Sequence, residues 1–163
     1  MKIIKMRFLK GLNTAFLFLV LVQSIALYSC SDSPSVVYKN DKQEQVYQKV
    51  TFNNLINTPK NYAYKTIELI GQYEYSFEVS ALYSDRWKLS REERNKALWI
   101  RFDFGYPLFK EDTNFNLVKS YQEFEKINGK RIRVRGEFYP NSKGHLSQYW
   151  GTIGNIVYLE VLN

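Results

Sequence analysis

The chain has 163 residues, which suits one domain and is too short for two of ordinary size. Its formal net charge is +7, but residues 1–29 hold four basic residues and no acid, so residues 30–163 carry 19 basic and 16 acidic residues, a net charge of +3. This modest surplus does not indicate nucleic-acid binding. The single cysteine, Cys30, excludes a disulfide within the chain.

The N-terminus has the layout of a secretory signal peptide, with basic residues before an apolar run at residues 12–27. The run ends at Leu27-Tyr28-Ser29-Cys30, which resembles the site where bacterial lipoproteins are cleaved and acylated. We therefore predict a signal peptide at residues 1–29 and lipidation of Cys30. Acyl chains would anchor the protein in a membrane, so the expected location is the bacterial cell envelope, at the outer membrane.

The same region allows one alternative. The apolar run could remain as a single N-terminal transmembrane anchor, although it is short and interrupted by Gln23 and Ser24. After the cysteine the chain becomes polar, which predicts a lipid-anchored tether at residues 30–48 and a folded domain at residues 49–163.

Within the domain the sequence predicts short helices and alternating strands. A helical turn is expected at residues 51–57, where Pro59 follows. Residues 66–75 alternate with period two, which indicates a strand. Further strands are predicted at residues 77–83, 97–103, 131–138 and 152–161, and a helix at residues 116–127, where Leu117, Tyr121 and Phe124 have helical spacing.

The strand at residues 131–138 repeats the strand at residues 66–75. The matching residues, at a constant offset, are Lys65, Ile67, Leu69, Gly71 and Tyr73 in the first and Lys130, Ile132, Val134, Gly136 and Phe138 in the second. A glycine inside each strand predicts a bulge or bend. The alternation of the last strand slips near Gly154-Asn155, which predicts another bulge.

The predicted order is three strands, a helix and two strands. A five-stranded Greek-key barrel with a helix between its third and fourth strands is the OB-fold, and bulges let long strands bend into both halves of such a barrel. The expected fold class is therefore mainly β, a five-stranded OB-like Greek-key barrel. An open α+β sandwich is the alternative.

Five short motifs follow one another over about residues 50–160. They are Pro59…Tyr62…Lys65…Gly71, Phe77-Glu78…Ala81-Leu82-Tyr83, Ala97-Leu98-Trp99-Ile100, Gly129-Lys130…Val134…Gly136 and Gly144-His145-Leu146…Gly151-Thr152-Ile153. In this order they resemble a small family of uncharacterised bacterial OB-like domains. The resemblance implies the fold and brings no established activity.

OB-folds bind ligands on their second and third strands and on the loops between strands one and two and strands four and five. Trp99 and Arg101 are two residues apart on the third strand, so they point the same way. Together with Glu78 they could stack a base or a sugar and hold a phosphate or hydroxyl. Alternatively, they form a surface packing pair with Glu78 as counter-charge.

His145, the only histidine, falls in the loop between strands four and five with Tyr149 and Trp150. His145 could contact a ligand or carry a proton near neutral pH, or its ring could hold the loop backbone. The two aromatic residues could mark a protein or carbohydrate surface, or they could close an end of the core.

Arg131, Arg133 and Arg135 form a stripe on one face of the fourth strand. Such a stripe beside exposed aromatic residues is typical of nucleic-acid binding. It is also what a solvated strand face looks like when its arginines pair with acids on neighbouring strands, such as Glu68 or Glu137.

Catalysis has little support, because the sequence has neither a glycine-rich phosphate loop nor a His–Glu metal motif. We therefore expect no enzyme, no cofactor and no metal site. Our leading hypothesis is a non-enzymatic envelope lipoprotein that binds a protein or glycan partner. The alternatives are a single-stranded nucleic-acid-binding barrel, whose ligand is scarce in the envelope, and a hydrolase that uses Glu78 with His145, or with Asp103, for acid–base work.

Overall fold

The structure, a computed structural model, describes residues 35–42, 45–84 and 96–162. They belong to a unit that begins at Ser35. The predicted signal peptide, the predicted lipidation site at Cys30 and the segment at residues 85–95 lie outside the described residues. Within the described ranges, no helix is both long enough and apolar enough to cross a membrane.

The described residues form a single sheet of eight strands. The strands are β1 Val36–Lys39, β2 Gln48–Lys49, β3 Thr66–Ser76, β4 Val79–Tyr83, β5 Leu98–Ile100, β6 Phe109–Lys110, β7 Arg131–Tyr139 and β8 Gly151–Leu162. Five of them close into a barrel in the spatial order β3, β4, β5, β8, β7, because β7 pairs with β8 on one side and with β3 on the other.

The order of strands within the barrel confirms the predicted fold. β5 and β8 run parallel, whereas the other neighbours in the barrel are antiparallel. The order is that of an OB-like Greek-key barrel, with β3, β4, β5, β7 and β8 as its first to fifth strands. Closure of the barrel shows that the alternative, an open α+β sandwich, was wrong.

A row of paired residues, followed once around the barrel from Glu74, returns to the first strand's end of the chain about ten residues earlier, at Tyr64. The successive pairs are Glu74–Ala81, Ala81–Trp99, Trp99–Thr152 and Thr152–Tyr139. Beyond Tyr139 the row reaches Tyr64, whose N–H donates to the Phe138 carbonyl at 2.8 Å. Such a shift means steeply tilted strands, which is how a barrel of few strands closes. It also aligns Glu74, Ala81 and Trp99 on the outward-facing side of the barrel, where Ala81 itself is covered and 0% exposed.

Two α-helices and three 3-10 turns complete the described chain. They are α1 Phe52–Asn57, α2 Tyr121–Ile127, and 3-10 turns at Pro59–Asn61, Leu117–Lys119 and His145–Ser147. Thr51 Oγ1 accepts the Asn54 N–H at the start of α1, and Ser120 Oγ accepts the Glu123 N–H at the start of α2. The helix predicted at residues 116–127 is therefore divided, and only its second part is α-helical.

The barrel interior follows the alternation seen in the sequence. Ile67, Leu69 and Tyr73 on β3 and Ile132, Val134 and Phe138 on β7 are at most 1% exposed. Burial of six such side chains supplies a large share of the hydrophobic stabilisation of a domain of this size.

The repeated glycines serve different purposes. The β7–β8 register shifts between Arg135 and Glu137, which is the bulge predicted at Gly136. β3 keeps its register through Gly71, where a Cβ would lie 2.3 Å from the Tyr83 carbonyl oxygen and 2.9 Å from the Phe52 ring. Gly71 is therefore needed for close packing of α1 on the barrel.

Two local predictions need correction. Residues 36–39, within the stretch predicted to be a tether, form β1 and pair with β8 and β6. Tyr38 of this strand is 1% exposed, and its hydroxyl donates to Glu123 Oε2 at 2.8 Å. The second strand begins at Val79, so Phe77 and Glu78 form a turn instead of continuing the strand.

Candidate functional site

Two loops meet at one edge of the barrel. The β3–β4 turn carries Glu78 and the β7–β8 loop carries His145, and the two side chains are in contact, with 3.4 Å between Glu78 Oε2 and His145 Nε2. Both groups are open to water, with 53% and 38% of their side chains exposed. Barrel closure thus brings together two of the residues selected from the sequence.

Trp99 and Tyr149 form the aromatic part of the same region. Their ring centroids are 5.1 Å apart with an interplanar angle of 56°, and both side chains are half-buried. Gly144 has φ +63°, and a Cβ there would lie 2.6 Å from Trp99 and 2.8 Å from Tyr149. The β7–β8 loop therefore rests on Trp99 through a glycine. We call the surface formed by Glu78, Trp99, His145 and Tyr149 the loop face.

The electrostatics of the loop face favour hydrogen-bond donation by Tyr149. Burial, and then the negative charge of Glu74, raise the pKa of the Tyr149 hydroxyl. The hydroxyl thus stays protonated at neutral pH. Together, the loop face offers two aromatic rings, a phenol and a carboxylate–imidazole pair.

Both loops contain strained backbone and exposed apolar side chains. Glu78, Leu146 and Ser147 adopt φ values of 58°, 50° and 56°, which non-glycine residues rarely do. Phe77 is 89% exposed and Leu146 is 70% exposed. Strain of this kind costs about 1–3 kcal/mol per residue and concentrates at functional sites. Sequence reasoning missed Phe77 and Leu146. The available signal was an apolar residue in the two-residue β3–β4 turn and another in the β7–β8 loop.

Arg101 is directed away from the loop face. Its guanidinium carbon lies 4.9 Å from the centre of the Tyr139 ring, and the group passes over Gly154, where a Cβ would be 2.8 Å from Nη2. Burial and the neighbouring Glu137 raise the pKa of Tyr139 to about 12, although Arg101 itself acts to lower it. Arg101 thus forms a cation–π contact across the sheet.

Trp150 lies at the end of the barrel core. Its ring packs against the buried cluster, and the Lys143 ammonium is 4.8 Å from the ring centre. The backbone N–H of Trp150 donates to the Ala97 carbonyl at 2.9 Å. These contacts match the structural alternative for this residue, closure of a core end.

The arginine stripe on β7 is paired with acids. Arg135 Nε is 2.7 Å from Glu68 Oε2, and Arg133 forms an ion pair with Glu160. The Arg135 guanidinium also lies between two rings, 4.1 Å from that of Tyr47 and 4.3 Å from that of Tyr158. The expected cross-strand pairing with Glu68 is therefore present, and the charges of Arg133 and Arg135 are balanced locally.

A cleft of about 740 Å³ lies on the outer face of the barrel and was not anticipated from the sequence. The β2–α1 segment forms one wall, and β3 and the end of β4 form its floor. The residues that line it are Lys49, Val50, Thr51, Phe52, Asn53, Ile56, Glu68, Ile70, Tyr83, Ser84, Lys96, Ala97 and Arg131. The available signal was Ile70, an apolar residue on the otherwise polar outer face of β3.

Glu78, His145 and Asp103 were the residues considered for acid–base chemistry. No group of three or more His, Cys, Asp or Glu side chains among them could hold a metal ion. Asp103 accepts the Gly105 N–H at 2.7 Å and shapes a turn. The Glu78–His145 pair is exposed and not enclosed in a dry pocket. The loop face is suited to stacking and hydrogen bonding.

No protein-family model matches the chain, and no curated protein matches it either. The function therefore has to be inferred from the barrel's own geometry.

Proposed function

We propose that the chain is a cell-envelope lipoprotein whose OB-like barrel binds a protein or glycan partner through the loop face, without catalysing a reaction. The observation that carries the proposal is the meeting of Glu78 and His145, 67 residues apart in sequence, beside the Trp99–Tyr149 ring pair. OB-like barrels bind ligands at this pair of loops. Membership of the uncharacterised OB-like family remains a prediction.

The residue types of the loop face suit either kind of partner. Aromatic rings stack on the apolar faces of sugars and on apolar side chains, while a phenol, a carboxylate and an imidazole hydrogen-bond to hydroxyl or amide groups. The exposed Phe77 and Leu146 provide further apolar area beside these groups. Aromatic residues at the centre of an interface contribute the largest share of binding energy.

A pull-down from crosslinked envelopes, combined with a glycan array, tests the proposed binding. The full chain is compared with a variant that carries Trp99→Ala and His145→Ala. We expect the wild type to recover a defined partner or glycan class and the double variant to lose at least tenfold in binding, about 1.4 kcal/mol.

Phe115→Ala provides the matched control. Phe115 is an aromatic residue with 40% exposure next to β6, and β6 is separated from β8 by β1. The control should bind like the wild type. Equal recovery by the double variant, or no partner and no glycan at all, would contradict the proposal.

The lipid anchor is tested separately with Cys30→Ala. We expect this variant to lose its acyl chains and its membrane association, because the thiol is the predicted acceptor. Fractionation and mass spectrometry of the mature chain measure both. A variant that remains membrane-bound without acylation would support the alternative, a retained N-terminal transmembrane anchor.

Nucleic acid is the less supported ligand. Arg133 and Arg135 are paired with Glu160 and Glu68, so these two side chains are less able to neutralise phosphates. Binding of single-stranded DNA that weakens with salt and is lost when Arg131, Arg133 and Arg135 are changed together would revive that alternative.

A further inference from the structure

The cleft beside α1 has preformed walls. Val50 N–H donates to the Glu68 carbonyl at 2.9 Å, which fixes the β2–α1 segment to β3. Leu55 of α1 is 1% exposed, and Phe52 packs within 2.9 Å of the position that a Gly71 Cβ would take. The segment is thus held by the barrel core, and the cleft does not depend on a ligand for its shape.

The floor of the cleft is apolar. Ile70 is directed outward from β3, next to the half-buried Phe52 and Ile56 and the fully buried Ala97. A volume of about 740 Å³ lies within the range of small-molecule sites, which are mostly apolar with a few polar groups.

The rim of the cleft carries surplus positive charge. Lys49 and Lys96 are exposed, and neither forms an ion pair with a carboxylate of the described residues. Glu68 is the nearest acid in the register, opposite Lys49, but its carboxylate is already held by Arg135 at 2.7 Å and lies 3.9 Å from Arg133. The two lysines are therefore available to pair with an anionic ligand.

We propose that this cleft binds a small anionic amphiphile, a molecule with one carboxylate or phosphate group and a short apolar chain. The anionic group pairs with Lys49 and Lys96 at the rim, and the apolar chain lies on Ile70, Phe52 and Ile56. This pairing of a charged rim with an apolar floor gives both affinity and selectivity against neutral amphiphiles. None of the loop-face residues lines the cleft, so the two sites can be tested independently.

Calorimetric titration of the full chain in phosphatidylcholine nanodiscs tests the proposal, with empty nanodiscs as the blank. The probes are octyl phosphate, octanoate and the neutral octyl glucoside. We expect saturable, one-to-one binding of the two anions with Kd below about 1 mM, about −4 kcal/mol. Octyl glucoside should bind at least tenfold more weakly.

Variants locate the site. Lys49→Gln combined with Lys96→Gln should weaken octyl phosphate binding at least tenfold, while Lys60→Gln combined with Lys119→Gln, two exposed lysines elsewhere, should leave it unchanged. Ile70→Asn should weaken binding through the apolar chain. Should Ile70→Asn fail to fold, replacing octyl phosphate by butyl phosphate on the wild type measures the same contribution.

Three results would overturn the proposal: no saturable binding of either anion, equal binding of octyl glucoside, or unchanged binding by the Lys49/Lys96 variant. The source of the ligand follows from one further titration. The titration with octyl phosphate is repeated in nanodiscs that contain phosphatidylglycerol. A lower apparent affinity there identifies a lipid headgroup as the occupant. An unchanged affinity identifies a free anion, and both of these results support the site.

Discussion

The arginine stripe on β7 and the loop face are both polar, aromatic surfaces, yet they are built in opposite ways. Arg133 and Arg135 lie against acids on both neighbouring strands, and Arg135 is enclosed between two tyrosine rings. The loop face instead has one exposed carboxylate–imidazole contact and a backbone with positive φ at Glu78.

The difference shows that the charges on one strand do not reveal whether those charges are free to bind a ligand. A stripe of arginines looks like a binding surface when its strand is considered alone. The acids that neutralise it lie on other strands: Glu68 is 67 positions from Arg135, and Glu160 is 27 positions from Arg133. We therefore expect changes to the stripe to lower stability and changes to the loop face to lower binding.

The largest effect is expected for Glu68→Ala. The Glu68 side chain is 7% exposed and its partner Arg135 is 19% exposed, so the substitution leaves a largely buried guanidinium without its counter-charge. Removal of one partner of a buried pair costs about 3–5 kcal/mol, and we expect about 3 kcal/mol here because Arg133 is more exposed. Denaturant unfolding measures the loss, and partner binding by the folded protein should not change. A loss below about 1 kcal/mol would show that the stripe behaves as an ordinary solvated surface.

The next effect is expected for Gly144→Ala. The new Cβ would lie 2.6 Å from Trp99 in a backbone with φ +63°, so the loop must move off the ring. We expect a stability loss of about 1–3 kcal/mol and a drop in partner binding of about tenfold.

Gly129→Ala is the matched control, since Gly129 has φ +70° and nothing within 4 Å of an added Cβ. It should lose stability from backbone strain alone and keep its binding, and equal binding losses in the two variants would count against the loop face.

The contact between α2 and β1, outside both regions, should be sensitive to acid. The hydrogen bond from Lys126, and to a lesser extent that from Tyr38, lower the pKa of Glu123 below its ordinary value of 4.5, against the opposing effect of burial. Because the folded state holds this carboxyl ionised more strongly than the unfolded state, the stability it contributes is present above about pH 4.5 and is lost as the pH falls through the lowered pKa. Glu123→Gln should therefore show a shallower decline in unfolding free energy between neutral pH and pH 3. If Glu123→Gln loses unfolding free energy with falling pH as steeply as the wild type does, Glu123 does not contribute to the pH dependence of stability.

The smallest effect is expected for Glu111→Ala. Glu111 forms an ion pair with Lys39 at 2.6 Å, but the two side chains are 45% and 36% exposed. Exposed pairs contribute about 0–1 kcal/mol, so we expect less than about 0.5 kcal/mol in the same unfolding assay. The contrast with Glu68→Ala would show that burial of the partners, more than the presence of a pair, makes the stripe structural. Equal losses in the two variants would remove that distinction.

The sequence predicted those parts of the fold that depend on local pattern. Alternation located β3 and β7, and the slip at Gly154-Asn155 marks a real irregularity, since Asn155 has φ +47° and the β7–β8 register shifts there. β1 was missed because its four residues lie in a polar stretch and gain their strand structure only by pairing with β8. Tertiary pairing of this kind overrides a weak local signal.

The candidate site was predictable only in part. The sequence selected Glu78, Trp99, His145 and Tyr149 because OB-like barrels use those positions, yet the Glu78–His145 contact exists only through closure of the barrel. It could not show that Arg101 is directed towards Tyr139 or that Trp150 closes the core, because both follow from side-chain direction across neighbouring strands. The cleft beside α1 was missed because its wall and its floor come from segments with no shared motif.

The pairing of β1 with β8 also limits how far the barrel can reach. β1 begins at Val36, six residues after Cys30, and six extended residues span at most about 20 Å. The first strand of a barrel anchored at Cys30 would thus stay within about 20 Å of the anchor. A tether that ended at residue 48 would have allowed a distance of about 60 Å. If Cys30 is acylated as we propose, a partner of the loop face would have to come to the bilayer surface to be bound.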